Sequence, residues 1–218
     1  MIVAVDGPAG SGKGTVTKKI AEELDFLNLD TGATYRCVAL QTLREGFTLD
    51  NEKEIIEIAN QIDIKIDNTG DKDIILLNGE DVSKEIRTKE VTAIVSQVSA
   101  IIPVREKMVE IQRKLANGKN VIVEGRDIGT VVFPNADIKI YLDASEEIRA
   151  QRRYEQNKQN GIDTTYEEVL ENVKMRDYND MHKKVGALKK ADDAILVDST
   201  NLTIEEVVEK IKDIIKQK

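Results

Sequence analysis

Short apolar runs alternate with longer amphipathic stretches along most of the chain. Ile2-Val3-Ala4-Val5 reads as a buried strand and Val16 to Leu24 as an amphipathic helix. Phe26-Leu27-Asn28-Leu29 then reads as a second strand ending at Asp30-Thr31-Gly32, and Ala33 to Arg44 has helical spacing with Gly46 as its stop. A third helix is expected over Asn51 to Gln61. After it the period changes. Ile62-Asp63-Ile64-Lys65-Ile66 alternates, Asn68-Thr69-Gly70-Asp71 turns, and Ile74-Ile75-Leu76-Leu77 returns, as in a small antiparallel hairpin.

Two further helices are expected, Thr88 to Ala100 and Pro103 to Ala116, the second opened by its proline and closed by Gly118. Val121-Ile122-Val123 is a buried strand running into Glu124-Gly125-Arg126-Asp127, and Ile138 to Leu142 is another, followed by a helix from about Ser145. A polar gap, Asn157 to Asp163, precedes a helix whose Thr165 and Glu168 suit a capping box. Ala194 to Val197 is the last strand, and Thr203 with Glu206 caps a final helix from Ile204 to about Lys216. Strands alternating with helices imply an α/β fold with a parallel sheet covered on both faces, plus the small antiparallel insertion. Ligands of such sheets sit beyond the carboxyl ends of the strands, where the polar turns collect.

One of those turns has a definite chemistry. Gly7-Pro8-Ala9-Gly10-Ser11-Gly12-Lys13-Gly14-Thr15 lies between the first strand and the first helix and matches G-x-x-x-x-G-K. Its glycines let backbone N–H groups face an anion, the helix N-terminus adds partial positive charge and Lys13 a full one. A nucleotide polyphosphate is the expected guest. The generic motif places Ser or Thr directly after the lysine to reach Mg²⁺, whereas this chain has Gly14, with Thr15 one place later. Mg²⁺ is therefore expected to be held by phosphates and water, with no loop hydroxyl assigned to it.

Composition narrows the rest. With 218 residues, 40% of them hydrophobic, the chain can bury a sizeable core as one domain with a small inserted subdomain. A net charge of -8 and 4% aromatics argue against nucleic-acid or membrane-surface binding, and no apolar run approaches the roughly 20 residues of a membrane span. The single cysteine, Cys37, has no intrachain partner for a disulfide, and a reducing cytoplasm is the expected home. It sits in a helical pattern as a small core residue, and His182 stands among lysines as an exposed side chain.

Only ten of the 32 basic residues are arginines, and several stand at strand ends or on one helix face. Arg36 follows the Asp30 to Tyr35 turn, Arg126 lies in the turn after a strand, and Arg149, Arg152 and Arg153 fall at i, i+3 and i+4. A guanidinium grips phosphate bidentately. Two unit anions about 4 Å apart repel by roughly 4 kcal/mol at an effective dielectric near 20, which converging arginines would offset. If the acceptor is itself a phosphate, its oxygen is already ionised and no general base is required. Asp6, at the end of the first strand, could cap the loop or assist metal-bound water.

The loop from Gly7 to Thr15, Leu29-Asp30-Thr31-Gly32-Ala33-Thr34-Tyr35-Arg36, Ile86-Arg87-Thr88-Lys89-Glu90-Val91, Val95-Ser96-Gln97-Val98-Ser99, Pro103-Val104-Arg105-Glu106, Glu124 to Pro134 and Arg176-Asp177 together resemble the bacterial cytidylate kinase family, in the family's order and over almost the whole chain. The Glu124 to Pro134 run combined with Ser96 and Arg105 separates this resemblance from adenylate and thymidylate kinases. It implies transfer of the γ-phosphoryl group of ATP to CMP or dCMP with Mg²⁺, by a monomer. Ser96, Arg105 and Asp127 would read cytosine; Thr31, Arg36 and Arg126 would hold the acceptor phosphate; Arg176 and Asp180 would contact the sugar. Lys13, Arg126, Arg149, Arg153 and Arg176 form the expected catalytic set. A monophosphate-binding insert would span about 31–102 and a lid about 149–186. The chain departs from the family at Lys183, where an arginine is usual, and around Gly186-Ala187-Leu188, where a Ser-Pro or Ala-Pro turn is missing. Two other readings are a kinase for UMP or AMP, and a nucleotide-dependent switch without phosphoryl transfer.

Overall fold

In the computed structural model of the protein, which describes residues 1–67, 74–159 and 161–218, the elements follow the alternation read from the sequence. β1 is Ile2–Asp6, α1 Lys13–Leu24, β2 Leu27–Asp30, α2 Thr31–Arg44 and α3 Glu52–Gln61. β3 (Ile64–Asp67), β4 (Ile74–Leu77) and β5 (Glu80–Asp81) precede α4 (Lys89–Val98) and α5 (Ile102–Ala116). β6 (Val121–Gly125), a π turn at Ile128–Val132, β7 (Ile138–Asp143), α6 (Glu146–Gln159), α7 (Tyr166–Met181), β8 (Ile195–Asp198) and α8 (Ile204–Lys216) complete the chain. The large sheet has the order β2-β6-β1-β7-β8. β1 runs parallel to β7 with Val3 opposite Ile138, and β7 parallel to β8 with Ile140 opposite Ile195. The fold class is the expected α/β arrangement of a parallel sheet with helices and a second, antiparallel sheet, β3-β4-β5.

The chain divides into two compact units, one of residues 1–26 and 122–218, the other of 27–121. Each has its own core. In the first, Val3 and Val5 of β1, Ile140 and Leu142 of β7 and Val197 of β8 are buried with Val16 and Ile20 of α1 and Val207, Val208 and Ile211 of α8. Both long terminal helices are pinned by the spacing of those residues; α8 begins with the capping box expected at Thr203 and Glu206, and α7 with the one at Thr165 and Glu168. In the second unit, Cys37, Val38, Ile55, Ile58, Ile64, Ile75, Leu77, Val82, Ile86, Val104 and Met108 are buried together. Burial pushes the Cys37 thiol up to about 12, so it stays protonated as a small core group.

Among the differences from the sequence reading, two boundaries and one strand have clear physical causes. α2 begins at Thr31 because Asp30 accepts a bond from the Ala33 N–H, which turns Thr31 and Gly32 into the first helical residues. β3 begins at Ile64 because the Ile62 N–H closes α3 on Ile58 and the Asp63 N–H is caught by Asn78 Oδ1. β5 was not expected at all. Asn78 and Gly79, with φ of 52° and 87°, make the tight turn into it. The turn expected at Asn68 to Asp71 lies outside the described residues. Among the described residues no helix is long and apolar enough to cross a membrane.

Candidate active site

β1 delivers the chain to the phosphate loop in a packed setting. A side chain at Gly7 would stand 2.0 Å from the Leu142 carbonyl oxygen, so only glycine lets the loop leave the sheet there. Gly12, with φ 91°, is the left-handed residue from which α1 starts. Lys13 is buried and its Nζ donates to Gly7 O and Pro8 O at 2.8 Å and to Ser11 Oγ at 3.3 Å. Burial, and then the charge of Arg126, pushes its ammonium down from 10.5 to about 7. A bound polyphosphate reverses that balance, so nucleotide binding should take up a proton at Lys13. Titration calorimetry at pH 8 in buffers of differing ionisation enthalpy should report uptake of nearly one proton, since ATP itself is fully ionised there; zero uptake contradicts the assignment of Lys13 to the phosphates.

Gly14 has a neighbour that explains the missing hydroxyl. A Cβ there would lie 3.0 Å from Glu124 Oε1 and 3.7 Å from Oε2, so a β6 carboxylate fills the space into which a serine or threonine would project. Thr15 is exposed. Asp6 is buried, and its two oxygens accept from the Ile128 and Gly129 N–H groups, both at 2.7 Å. Burial outweighs those bonds and raises its carboxyl to about 6.

Beyond β6, Arg126 is half-buried. Its Nε donates to Asp180 Oδ2 at 2.8 Å and its Nη1 to Gly125 O at 3.2 Å. Asp180 also meets Lys183 Nζ at 3.2 Å through Oδ1. Burial alone would raise the Asp180 carboxyl, but Arg126 and Lys183 more than offset it and hold it below its ordinary value. Lys183 therefore serves Asp180 in this chain, whatever an arginine there would do. The charge of Arg176, on the same helix, reaches both Asp180 and Lys13. Asp127 is 4% exposed and stands at the head of the π turn.

The arginines of α6 separate, although their spacing put them on one face. Arg149 is 3% exposed, donating to Ala144 O at 2.9 Å and Ala9 O at 3.1 Å and pairing with buried Asp177. Arg152 donates to Ser11 O at 3.4 Å and to Ser199 Oγ and O at 3.2 and 2.8 Å. Both brace the phosphate loop from behind. Arg153 is exposed and donates to Gln156. Sequence reasoning missed Glu124, Asp177 and Ser199, and left Arg152 out of the site; each acts across a long stretch of chain, and only the i+3 step from Arg149 pointed to Arg152. His182 is exposed and stacks on Tyr178 at 4.0 Å, away from any of these groups' hydrogen bonds.

In the second unit the remaining candidates are held by α2, α4 and α5. Thr31 is buried at the start of α2, and Arg36 donates to Ile86 O at 3.1 Å and Thr92 Oγ1 at 2.9 Å. Arg105 of α5 is 5% exposed, with its guanidinium 5.7 Å from the Tyr35 ring centre. Gln112 donates to Thr34 Oγ1 at 2.8 Å, which donates to Thr31 O at 2.8 Å, so a buried polar chain fixes α5 to the first turn of α2. Ser96 is exposed on α4 and its carbonyl accepts from Ser99 Oγ.

A model of the cytidylate kinase family matches residues 3–217. A cytidylate kinase of Caldanaerobacter subterraneus subsp. tengcongensis is 50% identical over 215 residues, which cover 99% of this chain and 94% of that protein. One of Fusobacterium nucleatum is 50% identical over 208 residues, 95% and 94% of the two chains, and one of Thermosipho melanesiensis 44% identical over 216, 99% and 97%. Among solved structures, an uncharacterised protein from Eubacterium ventriosum superposes with a TM-score of 0.56 at 13% identity, over 100% of this chain and 99% of that one, a likeness of fold alone. A match over nearly every residue, with relatives this similar along their whole length, means that the chain belongs to the cytidylate kinase family.

Proposed function

We propose that the protein transfers the γ-phosphoryl group of ATP to CMP or dCMP, giving ADP and CDP or dCDP. Family membership supports the substrates, and one feature of the geometry supports the transfer: Arg126. Asp180 orients this half-buried guanidinium by its Nε, its Nη2 donors have no hydrogen bond among the described residues, and its charge acts on Lys13 at the phosphate loop. A planar fork so placed suits a phosphate between the loop and the acceptor.

In this reading the backbone of Gly7 to Thr15 and Lys13 grip ATP, and Arg126 and Arg176 neutralise charge around the phosphoryl group in transit. Thr31, Arg36 and Arg126 hold the acceptor phosphate; Ser96, Arg105 and Asp127 read cytosine, whose amino and carbonyl edge a carboxylate and a guanidinium complement; Arg176 and Asp180 contact the sugar. Residues 31–102 form the monophosphate insert and 149–186 the lid, and the protein works as a cytoplasmic monomer. The acceptor oxygen is already ionised, so positioning and charge neutralisation are the whole task of these side chains.

Mg²⁺ fits this loop through Glu124. Among the described residues no three acidic, histidine or cysteine side chains gather, so a hydrated ion held mainly by phosphates is the arrangement the donors allow. When bound, the ion would screen the phosphate oxygens. Glu124 would orient its water. Glu124→Gln should raise the Mg²⁺ concentration for half-maximal rate by about tenfold or more and weaken Mn²⁺ binding to the ADP complex, read by electron paramagnetic resonance. Unchanged Mn²⁺ affinity removes Glu124 from the metal.

An ADP-release assay with ATP against CMP, dCMP, UMP, AMP and dTMP tests the reading as a whole. CMP or dCMP should turn over fastest. Faster UMP or AMP turnover reassigns the acceptor, and tight ATP binding with no diphosphate from any monophosphate makes the protein a switch.

A further inference from the structure

Gln112 is completely buried in α5, and its amide is only half satisfied. Nε2 donates to Thr34 Oγ1 at 2.8 Å, while Oε1 has no hydrogen bond among the described residues. An apolar side chain of similar length would avoid that cost, since a buried acceptor left without a donor burdens the fold. What the amide does instead is set a position. Thr34, equally buried, gives its single hydroxyl proton to Thr31 O at 2.8 Å, and its oxygen accepts the Gln112 N–H, so the amide fixes which way the hydroxyl points. Arg105, Met108 and Gln112 recur at i, i+3 and i+7 among the buried residues of α5. The Arg105 guanidinium lies 5.7 Å from the Tyr35 ring centre. The first turn of α2 is therefore clasped at two adjacent residues, Thr34 and Tyr35, by side chains about two turns apart on α5.

We propose that Gln112 is a positioning residue of the acceptor site, setting the separation between Arg105 on α5 and the Thr31 end of α2. This role rests on the reading of Arg105 as a cytosine contact and Thr31 as a phosphate contact. One nucleotide must then reach both at once. The span from its base edge to its phosphate is limited by covalent structure, so the two helices have to be held at one separation before it arrives. Burial of Val104 and Met108 in the same core is non-directional and tolerates a small slide of one helix on the other, whereas a hydrogen bond of 2.8 Å does not.

The consequence is a separation of stability from acceptor binding. In Gln112→Met the donor is gone and the unpaired oxygen with it, and Thr34 keeps its bond to Thr31 O. The melting temperature should therefore be unchanged or higher. The KM for CMP should nevertheless rise about fivefold or more, as the constraint of one hydrogen bond is lost, while the KM for ATP changes by less than about twofold. Thr34→Val breaks the same link but strands the buried Gln112 amide, so its melting temperature should fall as its KM for CMP rises.

Thermal melts and initial rates on the two variants and their combination are the test. Thr34→Val with Gln112→Met replaces both polar groups by apolar ones of similar shape, so the melting temperature should return to that of the parent or above. The KM for CMP should stay as high as in either single variant. A KM for CMP that recovers along with the melting temperature, or that is unaltered in Gln112→Met, overturns the proposal and leaves Gln112 as core support. A loss shared equally by ATP and CMP does the same. Arg105→Met tests the underlying reading by itself: unchanged CMP affinity there withdraws α5 from base recognition, and the role of Gln112 falls with it. A raised KM in Arg105→Met beside a normal one in Gln112→Met strikes the positioning role alone. Should Thr34→Val fail to fold, Gln112→Met and the double variant still decide the matter.

Discussion

Replacing Lys13 by alanine is expected to lower kcat for phosphoryl transfer by about a thousandfold while leaving the protein at least as resistant to heat as before. The two halves of that outcome have one cause. Lys13 is 5% exposed among loop carbonyls, and its ammonium is pushed down to about 7 chiefly by burial. Such a cation is kept for a guest of opposite charge, and removing one preorganised charge from a phosphoryl-transfer site typically costs on the order of 10²–10³ in rate. To the empty fold it is a burden. The unfolded chain holds this proton up to pH about 10.5 and the folded chain only up to about 7, so the penalty is full below pH 7 and shrinks as pH rises from 7 toward 10.5. The melting temperature of Lys13→Ala should therefore exceed that of the parent most at pH 7 and below, and the gap should narrow steadily as pH rises and close only near pH 10.5. Near-normal kcat would remove Lys13 from the chemistry. A large loss of melting temperature at pH 7 would instead make it a structural residue.

The same contrast explains what could be read from the chain before its structure. The phosphate loop was legible because its chemistry is local: glycines, a lysine, a strand before and a helix after lie within about twenty residues. The alternation of Ile2 to Val5, Val121 to Val123 and Ile138 to Leu142 with amphipathic helices fixed the parallel sheet for a related reason, since burial on both faces writes a continuous apolar run. Thr203 with Glu206, and Thr165 with Glu168, announced their helices by chemistry contained in four residues. Asn78-Gly79 was equally local, a strong hairpin signal, but the short, exposed Glu80–Asp81 strand beyond it has no apolar alternation to recognise.

What could not be read is what depends on distance along the chain. Asp6 and Gly129 are 123 positions apart, Arg149 and Ala9 140. Helical spacing placed Arg149, Arg152 and Arg153 together but is silent on which neighbour each would meet. Gly14 is the instructive case. A departure from the generic motif read as a missing metal ligand, whereas the structure shows a carboxylate 110 positions later filling the space. Local grammar identifies a site; its supporting groups come from wherever the fold brings them.

Arg149 is where those two kinds of information differ most, and the second large effect is expected there. Its fork is filled by Ala144 O, Ala9 O and Asp177, and Asp177 is itself 5% exposed with no hydrogen bond to its Oδ1. Arg149→Met leaves that carboxylate buried without a counter-charge, a loss of about 3–5 kcal/mol. For a chain of this size the melting temperature should fall by roughly 10 °C or more. Arg149→Met combined with Asp177→Leu should recover much of that fall, because removing both charges also removes the desolvation cost that the single variant leaves exposed. Activity should decline in Arg149→Met as well, since Ala9 loses its tether to α6, but it should decline in step with stability and return in part in the double variant. A catalytic guanidinium would give the opposite pattern: kcat would collapse at an unchanged melting temperature, and deleting Asp177 alongside would rescue nothing. Thermal melts and initial rates on the two variants thus decide whether this arginine handles phosphate or holds in place the loop that does.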